Sequence, residues 1–214
     1  MSMHVISWNE YISPQNSSFL IPHSSLPLAV TVGVFDGVHL GHQALIRRIC
    51  TPPSKPVTQN PHSSFLIPHS LLPTVVTFKQ NPINVLKPGS FSGDILTLDQ
   101  KLHILESLGV QMTVLIDFST EFSKINGRDF INLLLDNRPV KLVVLGVNFR
   151  CGCGLDTGAE EIRGIASAKG VETEVVRPVT DGGLPVSSSR IRELIAAGRT
   201  AEAEKLLGRP REAF

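Results

Sequence analysis

Cysteine is scarce in this chain. There are three in 214 residues, Cys50, Cys151 and Cys153, too few and too odd in number for a disulfide framework, which points to a reducing compartment. The C-x-C at 151–153 has no second cysteine pair or neighbouring histidine pair to complete four zinc ligands, so these read as loop thiols. Charge of one sign is equally lacking. Twenty basic and 19 acidic residues leave a formal net charge of +1, which argues against a protein that coats nucleic acid or an anionic membrane. Any phosphate chemistry must then come from local placement. No apolar run approaches the roughly 20 residues of a membrane span, and the start, MSMHVISWNEY, has no basic region followed by an apolar stretch. The expectation is a cytoplasmic protein with neither a nucleic acid nor a membrane as partner. Two nucleotide signatures are missing too. G-x-G-x-x-G is absent from 29–46, and no G-x-x-x-x-G-K-[ST] occurs, which excludes a P-loop.

What the chain does have is rhythm. Short β-branched runs alternate with helical stretches at 28–34, 41–49, 74–78, 98–108, 112–116, 127–136, 141–147, 159–169 and 171–176. That alternation predicts an α/β fold with a mainly parallel sheet. The strands are apolar almost throughout, as in KLVVLGV (141–147), as they must be when helices cover both faces. Length suits one substantial domain. We divide it into an N-terminal lead-in (1–27), an α/β domain (28–186) with a Pro-rich insertion at 51–73, and C-terminal helices (187–214) completing the same domain. The pattern SSFLIPHSxLP occurs twice, at 17–27 and 63–73. Two copies cannot make a solenoid, and their His23 and His69 read as by-products of a duplication.

Ligands of such folds bind beyond the carboxyl ends of the strands, and three segments there carry chemistry. The first is GVFDGVHLGHQALI (33–46), a strand, a turn at Asp36-Gly37 and a helix start near Gly41. Gly33, Gly37 and Gly41 let backbone approach a ligand, and the helix start offers free N–H groups to an anion. His39 and His42, three apart, fall on one side of that site and can donate to phosphate. Taken alone, the pair is also compatible with zinc ligands lacking a third partner, or with incidental histidines at a helix turn. The second segment is GGLPVSSSRIRELI (182–195), where Ser187, Ser188 and Ser189 begin a helix and Arg190 and Arg192 put positive charge where the helix dipole disfavours it. An anionic ligand would resolve that conflict. The third is GVNFRCGCGLDTG (146–158), a glycine-dense loop in which Arg150 is placed to reach phosphate and Phe149 to shape a pocket; a structural turn is nearly as good a reading. No set of residues here makes a protein-held metal site.

With these residues in view, the chain from about 28 onward resembles the FAD synthase (FMN adenylyltransferase) module of the prokaryotic bifunctional riboflavin kinase/FAD synthetase family. The resemblance rests on GVFDGVHLGHQALI, VVTF (75–78), the helix at 98–109, LGVNFRCG (145–152) and VSSSRIRELIAAGRTAEAEKLLGRP (186–210). It implies a Rossmann-like nucleotidyltransferase fold with ATP and FMN as substrates and Mg²⁺ arriving with ATP. His39, His42 and Arg190 would be catalytic. Gly33, Phe35, Asp36, Gly37, Gly41, Asn148, Phe149, Arg150, Ser187, Ser188, Ser189 and Arg192 would face ATP, and Thr77, Phe78, Asn81 and Pro82 would face FMN. Three departures stand out. TFKQNP (77–82) replaces the family's T-F-[DE]-P-H-P, so Asn81 stands where a histidine is usual. NFRCG (148–152) replaces D-F-R-F-G. The chain ends where the family enters its riboflavin kinase region, so this polypeptide alone is not expected to phosphorylate riboflavin, and a separate riboflavin kinase is a candidate partner. The alternatives are a nucleotidyltransferase for another phosphorylated acceptor, or a non-catalytic flavin- or nucleotide-binding protein.

Overall fold

The short apolar runs become the strands of a single parallel sheet in the computed structural model, which describes residues 2–13, 26–51, 70–89 and 93–211. The sheet strands are β1 (His4–Ser7), β2 (Leu28–Val32), β3 (Leu72–Phe78), β4 (Met112–Ile116), β5 (Val140–Gly146) and, after two two-residue strands, β6 (Arg150–Cys151) and β7 (Thr157–Gly158), the edge strand β8 (Glu172–Val176). A small hairpin, β9 (Thr180–Asp181) and β10 (Leu184–Pro185), follows. The helices are α1 (Trp8–Ile12), α2 (Leu40–Cys50), α3 (Pro82–Leu86), α4 (Leu98–Ser107), α5 (Gly127–Asp136), α6 (Ala159–Ala168), α7 (Ser188–Ala196) and α8 (Thr200–Leu207). The order across the sheet is β1-β4-β3-β2-β5-β8, and every neighbouring pair is parallel.

Alternation of side chains along each strand divides the core in two. Leu28, Val30 and Val32 of β2 and Val143 and Leu145 of β5 join Ile131 and Leu134 of α5 and Ile162 of α6 on one face. Ala29, Leu142 and Val144 join Ile46 and Ile49 of α2 and Ile104 and Leu105 of α4 on the other. A smaller cluster knits α7 and α8 together through Ile191, Leu194, Leu206 and Leu207, with Leu40 of α2 packed against it.

The lead-in proposed over 1–27 differs from what the fold shows. Residues 4–12 form β1 and α1, and β1 pairs with β4 as an edge of the same sheet. Trp8 of α1 stacks on Tyr11 at 5.6 Å and on Phe130 of α5 at 5.3 Å, while the Tyr11 hydroxyl donates to Leu134 O at 2.8 Å. Packing against the sheet, not local propensity, recruits this segment. Both SSFLIPHS copies, with His23 and His69, lie outside the described residues apart from 26–27 and 70–73, as does most of the Pro-rich insertion.

The chain leaves β2 through α2 towards β3 on one side and leaves β5 through α6 towards β8 on the other. α2 and α6 lie on opposite faces. The carboxyl ends of β2 and β5 therefore form the switch point at which open α/β sheets open a ligand crevice.

Candidate functional site at the sheet switch point

Between β2 and α2 the backbone makes an abrupt turn. Phe35 (φ 52°), Gly37 (φ 78°) and Val38 (φ 37°) all take left-handed conformations, which for a buried Phe and a β-branched Val run against steric preference and mark stored strain. The neighbours that hold the turn are numerous. Asp36, buried, accepts the Ile95 N–H through Oδ1 at 2.8 Å and the Arg192 Nη2–H through Oδ2 at 2.5 Å. Ser188 Oγ donates to Asp36 O at 2.8 Å. Arg209 donates to Gly37 O at 2.6 Å and to Val38 O at 3.1 Å, and Gln43 Nε2 to Val38 O at 3.0 Å.

The turn delivers His39 as the N-cap of α2, its Nδ1 accepting the His42 N–H at 3.4 Å. A neutral His39 that accepts at Nδ1 carries its proton on Nε2. The two imidazoles stack with centroids 3.7 Å apart, and Phe35 lies 5.0 Å from His42. Burial holds His39 down to about 4, with Arg209 adding to that push. His42 is held well below the ordinary imidazole range, first by burial and then by His39 and Lys101. Both rings are therefore neutral near pH 7. The His42 Nδ1 is buried without a hydrogen-bond partner among the described residues, a state that costs about 1–3 kcal/mol until a partner arrives.

A second helix start lies against the first. α7 is capped by Ser187, which accepts the Arg190 N–H at 3.3 Å, and a Cβ added at Gly41 would lie 3.1 Å from the His39 ring and 3.5 Å from Val186 O. Two helix starts, each the positive end of a helix dipole, thus share one side of the switch point. Such a pair is suited to a polyanion.

The remaining candidates separate. Gly33, Phe35, His42, Phe78, Pro82, Asn148, Phe149 and Arg150 line one cleft of about 580 Å³, whose walls also include Phe118 and Phe122. Asn81 and Asp36 instead line a polar cavity of about 350 Å³ with Lys79, Asp94 and Lys101. Thr77 is turned inward, its Oγ1 donating to Val34 O at 3.0 Å. Ser189 is exposed.

The two arginines of α7 part company. Arg190, read from the sequence as a phosphate contact, is engaged with the β9–β10 hairpin, through Asp181 Oδ2 at 3.0 Å, Asp181 O at 3.2 Å and Leu184 O at 3.4 Å. Arg192 is the one that reaches the His39–His42 turn, through Asp36. Arg150 donates to carbonyls of its own loop, Leu155 O at 2.7 Å and Asp156 O at 3.4 Å. In that loop Gly152 (φ 86°) sits so close to α5 that a Cβ would overlap the Gly127 backbone, a packing reason for that glycine. Cys151 and Cys153 are free thiols, and burial pushes Cys151 up to about 12. Among the described residues no three His, Cys, Asp or Glu side chains converge as a metal site, and no helix is long and apolar enough to cross a membrane.

Sequence reasoning passed over Lys101, Gln43 and Arg209, which brace the turn, and Phe118 and Phe122, which wall the cleft. Lys101 carried a signal. At helical spacing it shares the inward face of α4 with Ile104 and Leu105, an unusual place for a charge.

Comparison with known proteins bears on this site. Residues 21–190 match a family model described as FAD synthetase. The chain is 27% identical over 182 residues to a bifunctional riboflavin kinase/FMN adenylyltransferase of Escherichia coli (strain K12), covering 85% of this chain and 54% of that protein. It is 28% identical over 193 residues to an FAD synthetase of Listeria monocytogenes, covering 89% of this chain and 73% of that one. The chain thus spans about half the length of the bifunctional relatives. Among solved structures, a protein from Streptococcus pneumoniae described as a macrolide-efflux protein superposes with a TM-score of 0.75 at 26% identity, over 98% of this chain and 72% of that one.

Proposed function

The chain belongs to the FAD synthetase family, and on that premise we propose that it joins the adenylyl group of ATP to FMN, giving FAD and pyrophosphate. The observation that carries the proposal is the convergence of two helix N-termini and a neutral, stacked histidine pair beside an aromatic-walled cleft. The helix starts of α2 and α7 accept the triphosphate. The cleft, with Phe78, Phe118, Phe122 and Phe149 in its walls, suits a flat aromatic ring system.

In this reading an oxygen of the FMN phosphate attacks the α-phosphorus of ATP. One P–O bond forms, the bond to the β-phosphate oxygen breaks, and pyrophosphate leaves with its electron pair. The attacking group is already an anion, so no protein nucleophile is required. Catalysis is positioning plus stabilisation of charge that builds on the phosphoryl oxygens. His39, as the Nε2–H tautomer, donates to one such oxygen. His42 supplies the second imidazole contact, and a phosphate hydroxyl or bound water satisfies its orphan Nδ1. Ser187, Ser188 and Ser189 frame the β- and γ-phosphates with the backbone of the α7 start, and Arg192 joins them by way of the Asp36 turn it already braces. Gly33, Phe35, Asn148 and Phe149 line the nucleotide and flavin side. Mg²⁺ enters as the counter-ion of ATP, held by phosphate oxygens and water.

Purified protein incubated with ATP, Mg²⁺ and FMN should produce FAD and pyrophosphate in equal amounts, and His42→Ala should lower the rate at least about 10²-fold. Absence of FAD above background would overturn the assignment. A second reading keeps adenylyl transfer and changes the acceptor. It is favoured by Asn81, whose Oδ1 accepts the Ile83 N–H at 3.2 Å and whose Nδ2 donates to Asp94 at 3.2 Å, leaving it committed to α3 and not to a ligand. Pyrophosphate release across a panel of phosphorylated acceptors separates the two.

A further inference from the structure

Lys101 is a buried cation that the phosphate chemistry above does not use. It rises from the first turn of α4 and is 8% exposed. Its Nζ donates to Val34 O at 3.3 Å and to Phe78 O at 2.9 Å. Those two carbonyls stand just past the end of β2 and at the last residue of β3. β2 leads into the strained Phe35–Val38 turn and His39; β3 leads into the loop of residues 79–81 and α3. One ammonium group therefore staples the carboxyl ends of two neighbouring central strands at the point where both depart for the site.

The surroundings show why a charge is kept there. Asp36 and Asp94 face Lys101 and favour its protonated form against the burial that disfavours it. Asp36 is itself committed to Ile95 and Arg192, and Asp94 accepts from Asn81. The polar cavity that Lys101 lines thus has its charged groups partnered within the protein, Lys79 with Asp117 at 3.1 Å included. This makes Lys101 a brace and not a ligand contact. Hydrogen bonds from a charged donor to backbone carbonyls are stronger than neutral ones, and strained turns persist only where the surroundings over-determine them.

We propose that Lys101 is a positioning residue for the adenylyl-transfer site, holding the β2 turn with its histidine pair in fixed register with the β3–α3 loop. The proposal rests on the adenylyl-transfer reading for its kinetic consequence and on the geometry alone for its structural one. Lys101→Met keeps the packing of the stem and removes both carbonyl contacts and the charge. A displacement of about 1 Å at the histidines is enough to slow transfer about 10²-fold, so kcat should fall by about that factor while KM for ATP changes less than about threefold. Lys101→Arg, which restores a cationic donor, should recover at least tenfold of the loss.

The companion measurement needs no activity. Histidine ring resonances of the ligand-free protein are followed by NMR against pH in wild type and Lys101→Met. Burial depresses His42 most, His39 beside it and Lys101 from α4 add to that push, and Arg209 acts on His39. The His42 midpoint should therefore rise in the variant, with chemical-shift changes at Phe35 and Phe78. Unaltered His42 titration and unaltered Phe35 shifts would overturn the positioning role, whether or not wild type makes FAD. Equal kcat in a folded Lys101→Met would do the same. If wild type makes no FAD yet the His42 titration moves as stated, the assigned reaction fails and the brace stands. Should Lys101→Met not fold, Lys101→Gln, which removes the charge and shortens the reach to the two carbonyls, is compared with Lys101→Arg by the same two readouts, and equal kcat and equal His42 titration in the two would overturn the positioning role.

Discussion

Replacing His39 with Asn isolates the electrostatics of the site, because an Asn side-chain oxygen can cap α2 as the His39 Nδ1 does but does not titrate. In the folded protein burial holds His39 down to about 4, against 6.5 as the ordinary value. As the pH falls, the unfolded chain takes up this proton first. The His39 contribution to stability is therefore complete above pH 6.5, is lost progressively as pH falls towards 4, and changes no further below. At about 1.4 kcal/mol per pH unit that gap is worth about 3 kcal/mol, a large share of the 5–15 kcal/mol of a typical domain. Urea unfolding of both proteins between pH 7.5 and 4 reads it directly. His42, also held low, is present in both and subtracts to first order. The variant should lie within about 1 kcal/mol of wild type at pH 7.5 and gain about 3 kcal/mol on it by pH 4. Parallel loss of stability in the two proteins would refute the reasoning, since it would mean that His39 is charged or solvated in the folded state. Added pyrophosphate should raise the His39 midpoint and flatten the difference.

The Asp36–Arg192 pair is buried at one end, with side-chain exposures of 4% and 19%. Arg192→Met should destabilise by about 3 kcal/mol by leaving Asp36 unpaired, and the Asp36→Asn/Arg192→Met double variant should lose less than the sum of the singles by more than about 1 kcal/mol. Gly152→Ala and Gly154→Ala make a matched pair in one loop. Both glycines have positive φ, at 86° and 66°, but only at Gly152 does the new methyl meet backbone. Gly154→Ala should cost about 1 kcal/mol and Gly152→Ala about 3 kcal/mol or more, as read by thermal unfolding. Phe149→Ala should weaken FMN binding about tenfold by fluorescence titration.

Elements bounded by clear local signals were legible in sequence to the residue. The strand at Met112–Ile116 and the helix at Gly127–Asp136, opened by Asn126 as cap, need nothing beyond an apolar run or a periodic one. β1 carries no such signal. Of its four residues only Ile6 is buried, and it exists because β4 offers it an edge. The division of labour in α7 was hidden for a different reason. Arg190 and Arg192 are two positions apart, about 200° around a helix, so they cannot serve the same partner. Sequence shows two cations in one turn, and only the rotation of α7 set by Ile191 and Leu194 decides that Arg192 meets Asp36 while Arg190 meets Asp181. The clefts were hidden because Phe118 and Phe122 come from the β4–α5 connection and Phe149 from the connection after β5, distant in sequence.

The donor and acceptor halves of the proposed reaction rest on unlike parts of the structure, and that difference has a consequence for selectivity. The triphosphate side consists of two helix starts tied together by Asp36, Ser188, Arg192 and Arg209, a rigid frame addressed to anionic charge. On the acceptor side the polar groups of the β3–α3 loop are engaged within the protein: Lys79 with Asp117, Gln80 with Phe118 O at 2.9 Å, and Asn81 with Asp94 and Ile83. What faces the cleft from this side is apolar, Phe78, Pro82 and Leu86. Recognition of the acceptor then lies in shape and stacking against aromatic walls, with little polar readout of the chain that links ring to phosphate. A pocket of that kind rejects an acceptor lacking the flat ring far more strongly than one with an altered polyol. Flavin phosphates shortened or methylated along the ribityl chain should therefore remain substrates, and phosphorylated acceptors without a fused aromatic ring should not.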